Sequence, residues 1–403
     1  MKNIYICGPT VYSEVHIGNL RPILTFDIFI RSLRYLGEKV NLIHNITDID
    51  DKIINRALEL NITEKELTDK MISKYFKLLH DLNIQQPNFI PTVRENMHDI
   101  INFIQNLIDK NFAYEVNGSV YFDVSKLDTY GDLSNRKNLS LNPEGDKKHA
   151  DDFALWKATK SGFQFDSQWS KGRPGWHTEC VAFIAKYSNN QTLDIHGGGI
   201  DLLFPHHENE RIQYIANFDR EITKTWKHVG HINIEGEKMS KSLGNIFDAK
   251  TFNEKYGNDT LRVLFLTSGI TNPIDISQEY IDSIASELIK YQKAFIQSQL
   301  FLKLNKIANN NDAELIAKHF SNWEFSKGVK LLNQLIKGFN TKKNIKDATL
   351  IIESMKLIGF NFAKIMLQKS DIDLYIEWNQ LRDQNKFEAA DQIRKELIEK
   401  KII

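Results

Sequence analysis

The stretch HGGGIDLLFPHHENE, residues 196–210, holds three histidines, three acids and three glycines. His206 and Glu210 lie four apart, so on a helix they share one face. Imidazole and carboxylate both ligate Zn2+, and two thiolates would complete a tetrahedral set. The chain has two cysteines, Cys7 and Cys180. Cys7 ends the apolar run IYIC, and Cys180 closes GRPGWHTEC. Spacing alone leaves two readings open: a metal centre, or two ordinary buried thiols and a polar surface cluster.

A second concentration of chemistry lies near the N-terminus. After a turn at Gly8-Pro9, His16, Ile17, Gly18 and Asn19 open a helix. The free N–H groups and the dipole at a helix start suit phosphate. His16 can donate to a phosphate oxygen, and Gly18 lets a group approach the backbone closely. Far downstream, KMSKS at 238–242 sets Lys238 and Lys241 in a loop that can bring positive charge to a polyphosphate. Taken singly, these motifs are also an ordinary helix start and a solvated basic turn. As a pair they resemble the two signature motifs of the class I aminoacyl-tRNA synthetases, which clamp ATP from opposite sides of a Rossmann-like sheet.

The resemblance narrows along the chain. CGPTVY, HIGN, NITDIDDKII, GRPGWHTEC, HGGGIDLLFPHHENE and KMSKSLGN occur in order, with a weaker C-terminal match in FEAADQIRKEL. Together they look like the cysteinyl-tRNA synthetase family. That resemblance implies activation of L-cysteine with ATP, then transfer to the 3′ end of tRNA(Cys). It implies one Zn2+ per chain, held by Cys7, Cys180, His206 and Glu210, with the substrate thiolate bound directly to the metal. A size-excluding pocket rejects serine poorly, because hydroxyl and thiol are near isosteres. Zn2+ prefers the soft thiolate, so ligand chemistry makes the choice without editing.

The same resemblance assigns His16 and Asn19 to the ATP phosphates, with Gly18 beside them. Lys238 and Lys241 fall on the pyrophosphate side, with Lys241 expected to be the more critical. Gly197, Gly198 and Gly199 are expected to admit the nucleoside. Asp201 is placed near the ribose hydroxyls, with a simple helix cap as its alternative. Trp176 and His177 are expected to line the amino-acid pocket, and Thr47 to touch the substrate amino group. Mg2+ accompanies ATP. For His196 and His207 the lesser role of orienting a ligand is expected. Asp48, Asp50 and Asp51 in TDIDDK read as a helix N-cap with acids in the first turn. DTLR, 259–262, is expected near the junction after the KMSKS loop. Lysine clusters beyond residue 280 stay open between tRNA contact and solvated helix faces. The family usually continues past the FEAADQIRKEL-type helix, whereas this chain stops at Ile403, which leaves anticodon reading open.

The elements that must position these residues are α/β. IYICG reads as a buried strand, the segment from His16 to Gly37 as a helix, and KVNLIH as a second strand, which makes a βαβ unit. AYEVNGSVYFDVSKL alternates like a hairpin turning at Asn117-Gly118. The expected fold is a Rossmann-like parallel sheet split by an insertion, followed by a KMSKS-bearing domain and a C-terminal α-helical bundle. Its boundaries are 1–111 for the first half of the catalytic domain, 112–152 for the connective insertion and 153–235 for the second half. The KMSKS and stem-contact region takes 236–275, a tRNA-binding bundle 276–370, and a short C-terminal helical segment 371–403. Residues 309–312 and 339–347 read as interhelix loops.

Composition bounds the partners. Lys+Arg and Asp+Glu both total 52, so a nucleic acid would have to be held by a local basic face. No run of about twenty apolar residues is present, which argues against a membrane span. The N-terminus lacks a signal-peptide pattern. Two cysteines exclude a disulfide framework and fit a reducing cytosol. A cytoplasmic protein is expected, as a monomer rather than an oligomer. Two rivals remain: an enzyme that passes activated cysteine to a small amine, and a non-catalytic tRNA-binding paralogue. The FEAADQIRKEL helix leans against the first, and the complete motif and ligand sets against the second.

Overall fold

The computed structural model describes residues 1–136, 145–234, 236–239, 247–307, 313–400 and 402. Its described residues divide into two compact units. Unit 1 comprises residues 1–23, 39–78 and 86–231, and unit 2 comprises 24–38, 79–85 and 232–403.

In unit 1, β1 (Lys2–Ile6) is followed by the start of α1 (Ile17–Tyr35) and then by β2 (Val40–His44). Every residue of β2 is buried, as a strand covered on both faces requires. Asp50 caps α2 (Asp51–Leu60) by accepting the Lys52 N–H at 2.9 Å. Asp48 accepts from the N–H groups of Val93 and Arg94, and Asp51 pairs with Lys157 at 3.1 Å. Asp50 is therefore the helix cap and Asp51 the acid of its first turn, whereas Asp48 lies before the helix and holds the turn at Val93 and Arg94. After α3 (Glu64–Asp81) and α4 (Met97–Asp109), β3 (Ala113–Val116) and β4 (Ser119–Phe122) form the hairpin. Its turn residues Asn117 and Gly118 both have positive φ, the conformation that matches strand twist.

That hairpin is part of a larger antiparallel sheet. β5 (Phe153–Ala158), β6 (Phe165–Asp166) and β7 (Lys171–Pro174) join it in the order β3-β4-β5-β7-β6. The expected junction at 152/153 falls inside this sheet. Phe122 and Phe153 are paired across β4 and β5 with their rings stacked at 5.2 Å, and Trp156 is fully buried. The pairing spans a polar stretch of chain that shows no strand pattern, so local sequence carries no sign of it.

α5 (Trp176–Tyr187) then leads to β8 (Ile195–Gly199), α6 (Glu208–Phe218) and β9 (Trp226–Val229). The parallel sheet has the order β2-β1-β8-β9. The chain leaves β1 for β2 on one side and later enters β8 on the other. The carboxyl ends of β1 and β8 therefore flank the switch point, where open parallel sheets bind ligands.

Unit 2 holds a small sheet, β11-β10-β12, from β10 (Ile232–Ile234), β11 (Glu237–Lys238) and β12 (Ile274–Ile276). It also holds the remainder of α1 and the helices α7 (Ala249–Tyr256), α8 (Asn258–Thr267) and α9 (Gln278–Leu304). α10 (Glu314–Ser321), α11 (Phe325–Lys342), α12 (Ile345–Ile358), α13 (Lys369–Asp383) and α14 (Phe387–Glu399) complete it. The loop expected at 339–347 is only a turn at Lys343 and Asn344. Phe339 is buried, which carries α11 through the polar run, and Asn344 caps α12 by accepting from the Asp347 N–H at 2.8 Å. Residues 309–312 lie outside the described ones. The DTLR motif is a buried knot in this unit. Arg262 donates to Asp27 Oδ2 at 2.7 Å and to the carbonyls of Leu82 and Ile358, while Asp259 accepts from the N–H groups of Asn361 and Phe362. No described helix is long and apolar enough to cross a membrane.

Candidate active site and metal centre

Cys7 follows directly on β1, in a turn pressed against the end of β2. A Cβ on Gly8 would lie 1.6 Å from the Asn45 carbonyl oxygen, so only glycine permits this approach. The Gly8 N–H donates to Asn45 Oδ1 at 2.8 Å, and the Thr47 N–H to the Pro9 carbonyl at 3.1 Å. The Cys7 N–H donates to the Gly197 carbonyl at 3.1 Å, and His44 Nδ1 to the Ile6 carbonyl at 2.9 Å. Cys7 is thus aimed by backbone contacts on both sides of β1.

Cys180 lies on α5. The helix begins at Gly175, where a Cβ would meet the Ala154 carbonyl oxygen at 1.9 Å, so β5 and α5 are in close contact. Phe204 is extended, and after that kink the helical turn of His206 and His207 runs into α6, which starts at Glu208. His206 and Glu210 meet at the expected i,i+4 spacing, with His206 Nε2 2.8 Å from Glu210 Oε1. The donor atoms of Cys7, Cys180, His206 and Glu210 all lie within 4.8 Å of one another.

The electrostatics of this buried cluster favour a cation. Burial opposes the charge on Glu210, but His206 and His196 overcome it and hold the carboxyl well below the usual carboxylate range. Burial likewise opposes protonation of His206, yet Glu210 and Cys180 lift it to about 10. Burial, with Cys180 and Glu210 nearby, pushes the Cys7 thiol well above its ordinary value. Two thiols, an imidazole and a carboxylate fit a borderline-soft divalent cation, whose binding would displace the protons they carry.

Trp176 stacks on His206 with ring centres 4.2 Å apart, and His177 Nδ1 lies 2.9 Å from His206 Nδ1. Burial and His206 lower His177 to about 3, so its ring is neutral. Thr47 Oγ1 donates to Glu179 Oε2 at 3.0 Å, and burial raises that carboxyl well above its normal range. On the other side of the switch point, Asn19 Oδ1 accepts from the His16 N–H at 3.1 Å and closes the first turn of α1. Gly197, Gly198 and Gly199 are the last residues of β8. A Cβ on Gly198 would lie 2.9 Å from Leu202 and 3.0 Å from His207. Asp201 is exposed inside the short turn Ile200–Leu202, whose cap position is Gly199, so the alternative of a capping aspartate is not realised.

A family model described as the class I (C) tRNA synthetase catalytic domain matches residues 1–286. A cysteine–tRNA ligase from Mesoplasma florum is 42% identical over 422 aligned residues, covering 100% of this chain and 96% of the relative. One from Mycoplasma mycoides subsp. mycoides is 43% identical over 423, with the same coverage. The chain belongs to the cysteine–tRNA ligase family of class I synthetases. The fold agrees. Mycobacterium tuberculosis methionyl-tRNA synthetase in complex with methionyl-adenylate superposes with a TM-score of 0.66 at 14% identity, over 90% of each chain.

Of the two lysines of this family's KMSKS motif, Lys238 lies on β11 opposite Asn233, and Lys241 falls outside the described residues. Four residues near the site escaped the sequence: His44, Asn45, Glu179 and His228. His44 is hidden inside an apolar run and Asn45 is an ordinary turn residue. Glu179 stood beside a candidate ligand in GRPGWHTEC, and that adjacency was the available signal. His228 is isolated in sequence, and its contact at 2.8 Å with His207 Nδ1 exists only in three dimensions.

Proposed function

We propose that this chain activates L-cysteine with ATP, as cysteinyl-adenylate, and transfers the cysteinyl group to the 3′ end of tRNA(Cys). Membership of a tRNA synthetase family makes tRNA, an amino acid and ATP its substrates. The observation that carries the choice of amino acid is the buried convergence of Cys7, Cys180, His206 and Glu210. These four would hold one Zn2+, which supplies a soft centre that takes a thiolate in preference to a neutral hydroxyl.

The chain's own groups supply position and charge. Trp176 and His177 flank the cysteine side of the cluster, and Thr47 offers its hydroxyl oxygen to the substrate amino group. His16 and Asn19, with Gly18 between them, meet the ATP phosphates at the start of α1, and Gly197, Gly198, Gly199 and Asp201 receive the nucleoside. Lys238 and Lys241 offset charge on the departing pyrophosphate, and Mg2+ enters with ATP. The cysteine carboxylate then attacks the α-phosphorus and pyrophosphate leaves, a step helped by orientation and charge stabilisation. In the second step a terminal ribose hydroxyl of the tRNA attacks the activated carbonyl and AMP leaves.

The test is ATP–pyrophosphate exchange without tRNA, first with cysteine and then with serine, on protein of known zinc content, followed by charging of tRNA(Cys). Exchange that requires cysteine and follows bound zinc, together with charging, is the expected result. Exchange without charging would point to a small-amine acceptor. No exchange in zinc-replete protein would leave only a tRNA-binding role.

A further inference from the structure

We propose that the buried cluster offers a divalent cation two adjacent positions that share Cys7 and Glu210. The first is the set already described. The second is Cys7, His196, His207 and Glu210, whose donor atoms also lie within 4.8 Å of one another. The proposal rests on the metal reading above and extends it to a donor set with one thiolate and two imidazoles, which suits Zn2+ or Co2+.

Glu210 makes the two sets possible by dividing its oxygens. Oε1 lies 2.8 Å from His206 Nε2, whereas Oε2 lies 2.6 Å from His196 Nε2. Cys7 Sγ stands between them, 3.4 Å from His207 Nε2 and 3.8 Å from Glu210 Oε1. His207 is backed as a metal ligand usually is, because its other nitrogen meets His228 Nε2 at 2.8 Å. A ligand-orienting role for His196 and His207 accounts for less than this: both are fully buried, and a nitrogen of each falls within the second donor set.

The sets differ in the wall they face. His206 stacks on Trp176 at 4.2 Å, beside His177. His196 instead stacks on Trp226 at 4.5 Å, and His207 lies 5.1 Å from the same indole. Exchange of Cys180 and His206 for His196 and His207 would carry the ion from the amino-acid side to the Trp226 side. The two positions are alternatives for a single ion, since a second ion would require Cys7 to bridge both.

Cobalt binding tests this without reference to activity. Equilibrium dialysis with Co2+ gives stoichiometry and affinity, and the thiolate-to-cobalt charge-transfer band reports how many sulfurs are bound. Cys180→Ser/His206→Ala removes both donors exclusive to the first position. It should still bind one Co2+ per chain, with a band about half as strong as that of the parent, since one thiolate remains. Adding His196→Ala or His207→Ala to that background should weaken binding at least about tenfold. Absence of binding by a folded Cys180→Ser/His206→Ala protein overturns the proposal, and so does binding that ignores the further changes. Circular dichroism against the metal-free parent reports folding. If that pair does not fold, Cys180→Ala/His206→Asn gives the same comparison. A parent chain that binds no Co2+ would instead overturn the metal reading itself.

Discussion

Cys7 is held by its neighbours' backbones, so its thiol can be altered without moving the turn that carries it. Cys7→Ser should lose bound zinc and raise KM for cysteine at least about tenfold together. A variant with unchanged zinc and unchanged KM would refute the ligand assignment. His44 gives a different prediction. Burial lowers it to about 4 from an ordinary 6.5, with the Ile6 carbonyl working weakly the other way. Its neutral form is the folded form, so its contribution is complete above about pH 6.5. As pH falls from there towards 4 the unfolded chain takes up a proton that the folded chain refuses, and about 3 kcal/mol is lost. Unfolding free energies of the parent and His44→Gln, measured from pH 7.5 to 4, should show a decline flatter by that amount in the variant. The motifs told which residues to expect at the cluster, because thiols, imidazoles and carboxylates are few. They did not point to His44, which meets the Ile6 carbonyl just before Cys7, since a histidine between Ile43 and Asn45 has no pattern of its own.

Gly8 and Gly37 separate two reasons for a glycine at the scale of elements. At Gly8 the obstacle is the Asn45 carbonyl oxygen, 1.6 Å from a would-be Cβ, and backbone cannot rotate aside as a side chain can. Gly8→Ala should cost about 3 kcal/mol or more and displace the turn that carries Cys7, so both melting temperature and metal affinity should fall. Gly37 has φ +84 but nothing within 4 Å, so Gly37→Ala should cost only about 1 kcal/mol and leave metal affinity alone. Equal effects would mean that the β1–β2 contact does not set the cluster. Elements with a local signature were legible in the sequence: β1 by its apolar run, α1 by its helical spacing up to Gly37, the hairpin by Asn117-Gly118. The place of β5 in the sheet was not, because it pairs with β4 across more than thirty residues of chain, and pairing at that separation leaves no local period.

Across the whole molecule, balanced charge hides a few strongly desolvated pairs. Arg262 and Asp27 are each about 1% exposed at their side chains, and Arg262, helped by Arg31, overcomes burial to hold the Asp27 carboxyl below its ordinary value. Removing one partner strands the other. Arg262→Met should destabilise by about 3–5 kcal/mol, and joint replacement with Asp27→Leu should recover much of that. Chemical denaturation of the single and paired variants measures both, and an additive loss in the pair would show that the charges are not coupled. Composition could not have indicated this, since equal totals of acids and bases say nothing about which are buried together.

Both sulfhydryls of the chain belong to the cluster. Cys7 is partly open to solvent, whereas Cys180 is buried. A coloured thiol reagent therefore has no bystander cysteines to count. If the metal sits among Cys7, Cys180, His206 and Glu210, both sulfurs should be protected until a chelator removes it, after which two groups should titrate, the first quickly and the second only as fast as α5 opens. The time course becomes a clock for breathing of that helix, read from native protein with no label introduced.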